Sequence, residues 1–282
     1  MSLPTLQTSA APMDADLARR FGGLERLYGV PGAAAIRAAH VMVIGIGGVG
    51  SWAAEALARS GVGRISLVDF DQVAESNINR QIHAETLTVG MAKVDAMKGR
   101  IAQINPQCTV QCVEEFATPD NWPAMVGQAK EQVGLTAVID ACDQVKTKVA
   151  LAAWARAQSL VRPKPLTVPL FITVGAAGGK RRADKVDIAD LSETTHDPLL
   201  AQVRYRLRKG HAAPRDKRMG IHCVFSRESV AAPDPSCALA RGAEDEQGDG
   251  SLNCHGYGSV VAVTAAFGMC AAGWVLDEIA KK

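Results

Sequence analysis

The sequence predicts an α/β fold: a mainly parallel sheet with helices on both faces, plus a C-terminal extension. Three observations carry this. Short apolar runs recur at Val41–Ile44, Ile65–Val68, Cys108–Val113, Thr136–Ile139 and Thr167–Val174, and the stretches between them have helical composition. The first two runs enclose G-I-G-G-V-G-S at Gly45–Ser51, a glycine turn that opens a helix over Ser51–Ser60. With 282 residues, 48% of them hydrophobic and 21% charged, the chain can bury a large core.

Taken in order, Met1 to Asp16 has neither the basic start nor the apolar centre of a signal peptide and is expected to be a mobile tail. Arg19–Gly29 mixes Arg20 and Arg26 with Phe21, Leu24, Leu27 and Tyr28. It reads either as an amphipathic arm docked on the core or as a way to bring Arg20 to a phosphate, since a guanidinium binds phosphate oxygens in pairs. Pro31 then opens a short Ala-rich helix.

The turn spells G-x-G-x-x-G at Gly45, Gly47 and Gly50, with Asp69 at the distance of a ribose-binding acid. This is a Rossmann-like βαβ unit, whose bare turn lets backbone N–H groups approach a phosphate at the positive end of the helix. The pattern does not say which nucleotide. After Asp69, Asn77, Asn79, Arg80 and Gln81 cluster in a polar stretch. Lys93 follows in a helix whose apolar positions are Met91, Val94, Met97, Ile101 and Ile104, stopped by Asn105-Pro106. Two added cations suit a triphosphate better than a nicotinamide dinucleotide, which favours ATP; two solvated surface cations are the plain alternative.

Further on, Trp122 and Met125 are expected to face the core, and the fourth strand ends in D-A-C-D at Asp140–Asp143. Ligands bind at that edge of such sheets. Asp140 is the better candidate for Mg²⁺, and Asp143 reads equally as a ligand or a helix cap. A turn with three cations, Lys180–Arg182, precedes Ala201–His222, where Arg204, Arg206, Arg208, Lys209, Arg215, Lys217 and Arg218 face the single acid Asp216. Such a cluster fits a phosphate backbone or a solvated face. Residues 227–251 read as a long exposed loop ending near Cys254-His255, an activated nucleophile or an ordinary loop pair. Gly258–Leu276 carries no charge over 19 residues, close to a bilayer span, but its Ala, Gly, Val and Thr content favours a buried or interface helix.

The net charge of +2 is too small by itself to argue for nucleic acid. Seven scattered cysteines without a C-x-x-C pair suit reduced thiols in the cytoplasm and argue against a four-cysteine zinc site.

These motifs together resemble the ubiquitin-activating-enzyme-like adenylating superfamily, which includes the molybdopterin- and thiamine-pathway sulfur-carrier activators. The shared segments are Gly45–Ser51, Asp69–Asp71, S-N-I-N-R-Q at Ser76–Gln81, G-M-A-K-V at Gly90–Val94, Ile104–Pro106 and Ile139–Asp143. More narrowly, R-F-G-G-L-E-R-L-Y-G, the V-G-S-W turn at Val49–Trp52, V-G-A-A-G-G-K, H-D-P-L-L, H-C-V-F-S and N-C-H-G-Y-G-S are similar to the tRNA threonylcarbamoyladenosine dehydratases; the extended loop before Cys254 departs from them.

That resemblance implies one adenylating domain over residues 17–282. Its nucleotide-binding half would span about 31–175, and its tRNA-binding and dimerising part about 176–282. It implies ATP with Mg²⁺ at Asp140, Gly47 and Gly48 under the phosphates, Asp69 on the ribose, and Asn77, Arg80 and Lys93 on the triphosphate. Gly45, Gly50, Asp71 and Gln81 complete the nucleotide-binding set, Arg20 reaches the partner subunit's site, and Cys254 matches a suspected catalytic cysteine. The implied activity is ATP-dependent cyclisation of N6-threonylcarbamoyladenosine in tRNA by a cytoplasmic homodimer. A sulfur-relay protein and a structural monovalent cation are further candidates; DNA and membrane are not expected partners. The alternatives are adenylation of a ubiquitin-like sulfur carrier, a nicotinamide dehydrogenase, which leaves Arg80, Lys93 and Asp140 without a task, and a non-catalytic scaffold.

Overall fold

The computed structural model describes residues 16–161, 168–234, 236 and 257–281, without the side chains of 130–133. The tail before Asp16, most of the 227–251 loop and Cys254 with His255 therefore lie outside the described residues.

Helix α1 (Leu17–Ala38) is capped by Asp16, whose side chain accepts from the Arg19 N–H, and it bends at Gly29, which has φ of 73°, just before Pro31. The predicted arm and Ala-rich helix are thus the two halves of one kinked element. Phe21 is buried, while Leu27 points to solvent. After α1 come β1 (His40–Ile44), α2 (Gly50–Arg59), β2 (Arg64–Val68), a short 3₁₀ turn (Glu75–Asn77), α3 (Lys93–Ile104) and β3 (Thr109–Val113). Then follow α4 (Trp122–Val133), β4 (Ala137–Asp140), α5 (Val145–Leu160), β5 (Leu170–Val174), β6 (Val186–Asp190), α6 (Pro198–Gly210), β7 (His222–Ser226) and α7 (Val261–Ala280). One expectation is corrected: Met91 is exposed and precedes α3. The cation-rich stretch begins as a regular helix, α6, with Asp197 as its cap.

The strands form one sheet in the order β3-β2-β1-β4-β5-β7-β6, parallel except for the β6–β7 pair. The order reverses between β1 and β4, so a crevice opens beyond their carboxyl ends, where doubly wound sheets bind ligands. One face of the sheet is covered by α1, α2, α3 and α7, with Leu57, Met97, Ile101 and Phe267 fully enclosed. The other is covered by α4, α5 and α6, through Trp122, Leu151, Leu200 and Val203. Trp122 therefore faces the core as expected, and Met125 is partly buried against it.

Helix α7 is long and apolar enough by composition to cross a membrane, but half of its most apolar stretch is buried. It lies against α2 so closely that a Cβ on Gly268 would meet Val49 O at 2.5 Å and Ala53 N at 2.8 Å. Both contacts are backbone, so neither yields as a flexible side chain would. Gly268→Ala is expected to cost about 1–3 kcal/mol by overpacking, read as a lowered thermal midpoint.

Two buried imidazoles add a pH dependence. Desolvation lowers His40 and His83 from 6.5 to about 4. The unfolded chain then binds more protons between these values, so stability is full above pH 6.5 and declines as pH falls toward 4. Melting at pH 5 against pH 7.5 should show a loss on the order of 2 kcal/mol per ring.

Candidate nucleotide-binding site

The glycine turn between β1 and α2 cannot carry side chains at its ends. Gly45 has φ of 84°, and a Cβ there would lie 2.9 Å from the Ala141 backbone; one on Gly50 would lie 1.7 Å from Gly45 O. At Gly47 there is open space, so backbone N–H groups at the start of α2 are accessible from the crevice. This is the cradle a phosphate needs.

Asp69, at the end of β2, is buried and pinned to that turn. One carboxylate oxygen accepts from Ile46 N–H at 2.6 Å and the other from Asp71 N–H at 2.9 Å. Burial raises its pKa, with Lys93 and these N–H groups opposing. Each oxygen keeps a lone pair for a ribose hydroxyl, so the residue fits its expected task.

Arg80 reaches the same turn. Its methylene chain lies 3.5 Å from where a Gly48 Cβ would be. Its guanidinium donates to Ser76 O at 2.5 Å and to Asn79 Oδ1 at 2.9 Å, both neutral acceptors, and burial lowers its pKa. Trp52 Nε1 of α2 and Thr264 Oγ1 of α7 both donate to the Arg80 carbonyl, at 3.0 and 3.3 Å. Two helices thus hold this arginine over the turn, and no carboxylate neutralises it among the described residues. Trp52 belongs to the V-G-S-W motif and Thr264 to none, and only the fold shows that both meet the Arg80 carbonyl.

Lys93, the first residue of α3, is buried and donates to Asp71 Oδ2 at 2.6 Å, leaving two donors unspent. Asp71 is therefore Lys93's partner in this structure. Asn77 is buried and closes its own turn by accepting from Ala74 N–H. Gln81 is buried with an unpartnered Oε1.

Asp140 differs from an open metal ligand. It is wholly enclosed, with Oδ2 receiving Thr173 Oγ1 at 2.7 Å and Lys148 Nζ at 3.2 Å, and Oδ1 receiving Cys142 N–H and Sγ. Lys148 is equally enclosed; burial pulls its pKa down, but Asp140 together with Cys142 and Cys223 leaves it raised overall. Lys148 and Thr173 were invisible as partners in sequence. Among the described residues no group of three metal-ligating side chains exists, and Asp143, partly exposed three residues on, keeps its carboxylate open apart from a long 3.4 Å bond from Gln144.

Arg20 sits elsewhere. It donates to Ile104 O at 2.8 Å, at the far end of α3 from Lys93, and lines a groove of about 760 Å³ with Arg59, His83 and Arg100. Within this chain it does not join the turn. Of the cationic cluster, Arg204 is spent on the carbonyls of Leu191 and Thr194, Arg208 on those of Pro214 and Arg215, and Arg218 pairs with Glu193. Arg206, Lys209, Arg215 and Lys217 project into solvent. In the other turn, Lys180 is buried 3.7 Å from Asp197, while Arg181 and Arg182 are exposed.

A glycine cradle at the switch point, a buried carboxylate tied to it and an arginine above it that no carboxylate neutralises among the described residues suit a nucleoside polyphosphate. The chain as a whole is similar to known proteins. The chain is 42% identical to the tRNA threonylcarbamoyladenosine dehydratase of Escherichia coli over 94% of both chains, and 39% identical to that of Haemophilus influenzae, again over 94% of both. The crystal structure of the E. coli tRNA N6-threonylcarbamoyladenosine dehydratase in complex with ATP superposes with a TM-score of 0.78 at 39% identity, covering 95% of this chain and 96% of that one. Residues 22–282 match the ThiF family throughout, and the chain belongs to that family.

Proposed function

We propose that this protein uses ATP to dehydrate N6-threonylcarbamoyladenosine in tRNA to its cyclic form, by way of an acyl-adenylate. The observation that carries the reading is Arg80 held over Gly48 by α2 and α7, beside an Asp69 pinned to the same turn. Relatives of that activity, alike over nearly the full length, support it.

A threonine carboxylate is a poor electrophile at neutral pH. Its oxygen attacks the α-phosphorus of ATP, the bond to the β-phosphate breaks, and pyrophosphate leaves. Arg80 and Lys93 stabilise the charge that gathers on the phosphates in this step. The carbamoyl group of the same residue then attacks the activated carbonyl, loses a proton and expels AMP. The net loss is one water. Because both reacting groups sit on one molecule, orientation alone supplies much of the second step.

Mg²⁺ bound to the phosphates would neutralise charge and order the triphosphate, needing few protein ligands. Asp140 as it stands is committed to Lys148, and Asp143 is the carboxylate at this edge that fits such a contact. Asp143→Asn should then raise the Mg²⁺ concentration needed for half-maximal activity without lowering the melting temperature.

The 176–282 part would bind tRNA and dimerise, with Arg206, Lys209, Arg215 and Lys217 on the phosphate backbone. Reversing one of these charges should weaken tRNA binding evenly across sequences and flatten its salt dependence by about one charge. In a dimer, Arg20 would serve the partner's site. Free cysteines among the described residues accord with action in the cytoplasm.

The deciding experiment incubates the protein with ATP and either modified tRNA or a ubiquitin-like carrier, followed by nucleoside mass analysis. Loss of one water from the threonylcarbamoyl nucleoside, with AMP formed, is expected. Carrier adenylation without that loss would establish the sulfur-carrier reading instead.

A further inference from the structure

Helix α6 turns a stripe of Ala201, Arg204, Tyr205, Arg208 and Lys209, set at helical spacing, toward solvent, and with Arg215 this stripe lines a groove of about 440 Å³. Tyr205 leaves 63% of its surface in water. No carboxylate lines the groove, and the ion pair of this stretch, Arg218 with Glu193, lies outside it. The two half-buried cations are held in place rather than neutralised. Arg204 Nη1 donates to Leu191 O at 3.0 Å and to Thr194 O at 2.9 Å, and Arg208 Nη2 donates to Arg215 O at 3.2 Å, all uncharged acceptors. Burial, and then the neighbouring charge of Arg208, lowers the pKa of Arg204, a crowding that a bound anion would relieve. The bond from Arg208 also fastens the chain beyond α6 back against the helix, after a reversal at Ala212, where φ is 47°.

A groove of crowded cations around an open aromatic ring suits single-stranded RNA. The cations follow the phosphates, and the ring offers a surface to any base, since every base has a π-face. A duplex hides those faces within its own stack, so the ring calls for an unpaired nucleotide. An acidic protein would satisfy the cations but leave Tyr205 without a flat partner. The placement agrees with this. The Asp197 carboxylate that caps α6 also accepts from Ala176 N–H, just past the end of β5, so the helix starts one strand away from the nucleotide crevice. Tyr205 follows that cap by about 12 Å along the helix axis. We propose that the groove receives an unpaired stretch of the substrate tRNA close to the reacting nucleoside, with one base stacked on Tyr205 and the adjoining phosphates against Lys209 and Arg215. The inference rests on the dehydratase reading for its partner, and adds to it a residue that meets a base rather than backbone charge.

The test uses full-length protein with the variants Tyr205→Ala, Tyr205→Phe and Arg215→Ala. The probes are tRNA carrying N6-threonylcarbamoyladenosine and a blunt RNA duplex, with Kd measured by fluorescence anisotropy over a range of salt. Tyr205→Ala should raise the Kd for tRNA roughly 5- to 100-fold and leave its salt dependence as it was. Tyr205→Phe, which keeps the ring, should restore the affinity. Arg215→Ala should instead flatten the salt dependence by about one charge. Binding of the duplex should not respond to Tyr205→Ala, and all three variants should keep the wild-type melting temperature. Wild-type affinity for tRNA in Tyr205→Ala, or a Tyr205→Phe variant as weak as Tyr205→Ala, would overturn the stacking. Wild-type affinity in both Tyr205→Ala and Arg215→Ala would overturn the groove as an RNA surface and leave it to an acidic protein. Dehydration by the wild type, scored by nucleoside mass, is a separate readout: its absence beside the binding pattern above would remove the function and leave the groove standing.

Discussion

Arg80→Ala should lower ATP-dependent pyrophosphate exchange by roughly 10²–10³-fold, the usual loss when one preorganised charge stabiliser is removed. Arg80 is the cation at the turn that no carboxylate neutralises among the described residues; Lys93 already shares its charge with Asp71, so Lys93→Ala should cost less. The defect should fall mainly on kcat, because charge builds on the phosphates during the reaction. Arg80→Lys should recover only part of it, since Nη1 alone serves Ser76 O and Asn79 Oδ1 and the rest of the guanidinium fork stays available to phosphate oxygens, which one ammonium nitrogen cannot reproduce. Equal exchange rates in wild type and Arg80→Ala would remove this residue from the chemistry.

Asp140→Asn should unfold the protein more readily, by about 3–5 kcal/mol, the cost of stranding a buried charge. Lys148 is wholly enclosed, and without the Asp140 charge its ammonium is left with neutral partners such as the Thr173 hydroxyl and the Asp140 backbone carbonyl. The double variant Asp140→Asn with Lys148→Met removes both charges and should regain most of the lost stability. Denaturant unfolding of the single and double variants measures this directly. If Asp140 instead serves chiefly as a metal ligand, the single variant will keep its wild-type midpoint and lose only Mg²⁺-dependent activity.

Much of the architecture could be read in advance because its signals are local. Apolar runs bounded by glycine and aspartate located five parallel strands, and the glycine turn with Asp69 located the crevice. The β6–β7 pair escaped notice, since Val186–Asp190 alternates polar and apolar residues at the sheet's edge and His222–Ser226 was read only as a motif. In the site, Arg80 and Asp69 stand where motif spacing put them. Asp140 and Asp71 were harder, because their partners Lys148, Thr173 and Lys93 are 8, 33 and 22 residues away, and pairing across such distances is set by packing rather than by pattern. The same holds for Arg206 and Arg204, alike in sequence, where one faces water and the other is consumed by carbonyls behind α6.

The contact between Thr264 and Arg80 joins groups separated by 184 positions. During synthesis the ribosome makes the phosphate turn early, yet the clamp that seats its arginine emerges far later. Until then a nascent chain presents the greasy flank of α2 uncovered, a surface that invites aggregation or chaperone capture. Nucleotide binding should accordingly arise late in biogenesis, as one of the last properties this polypeptide acquires.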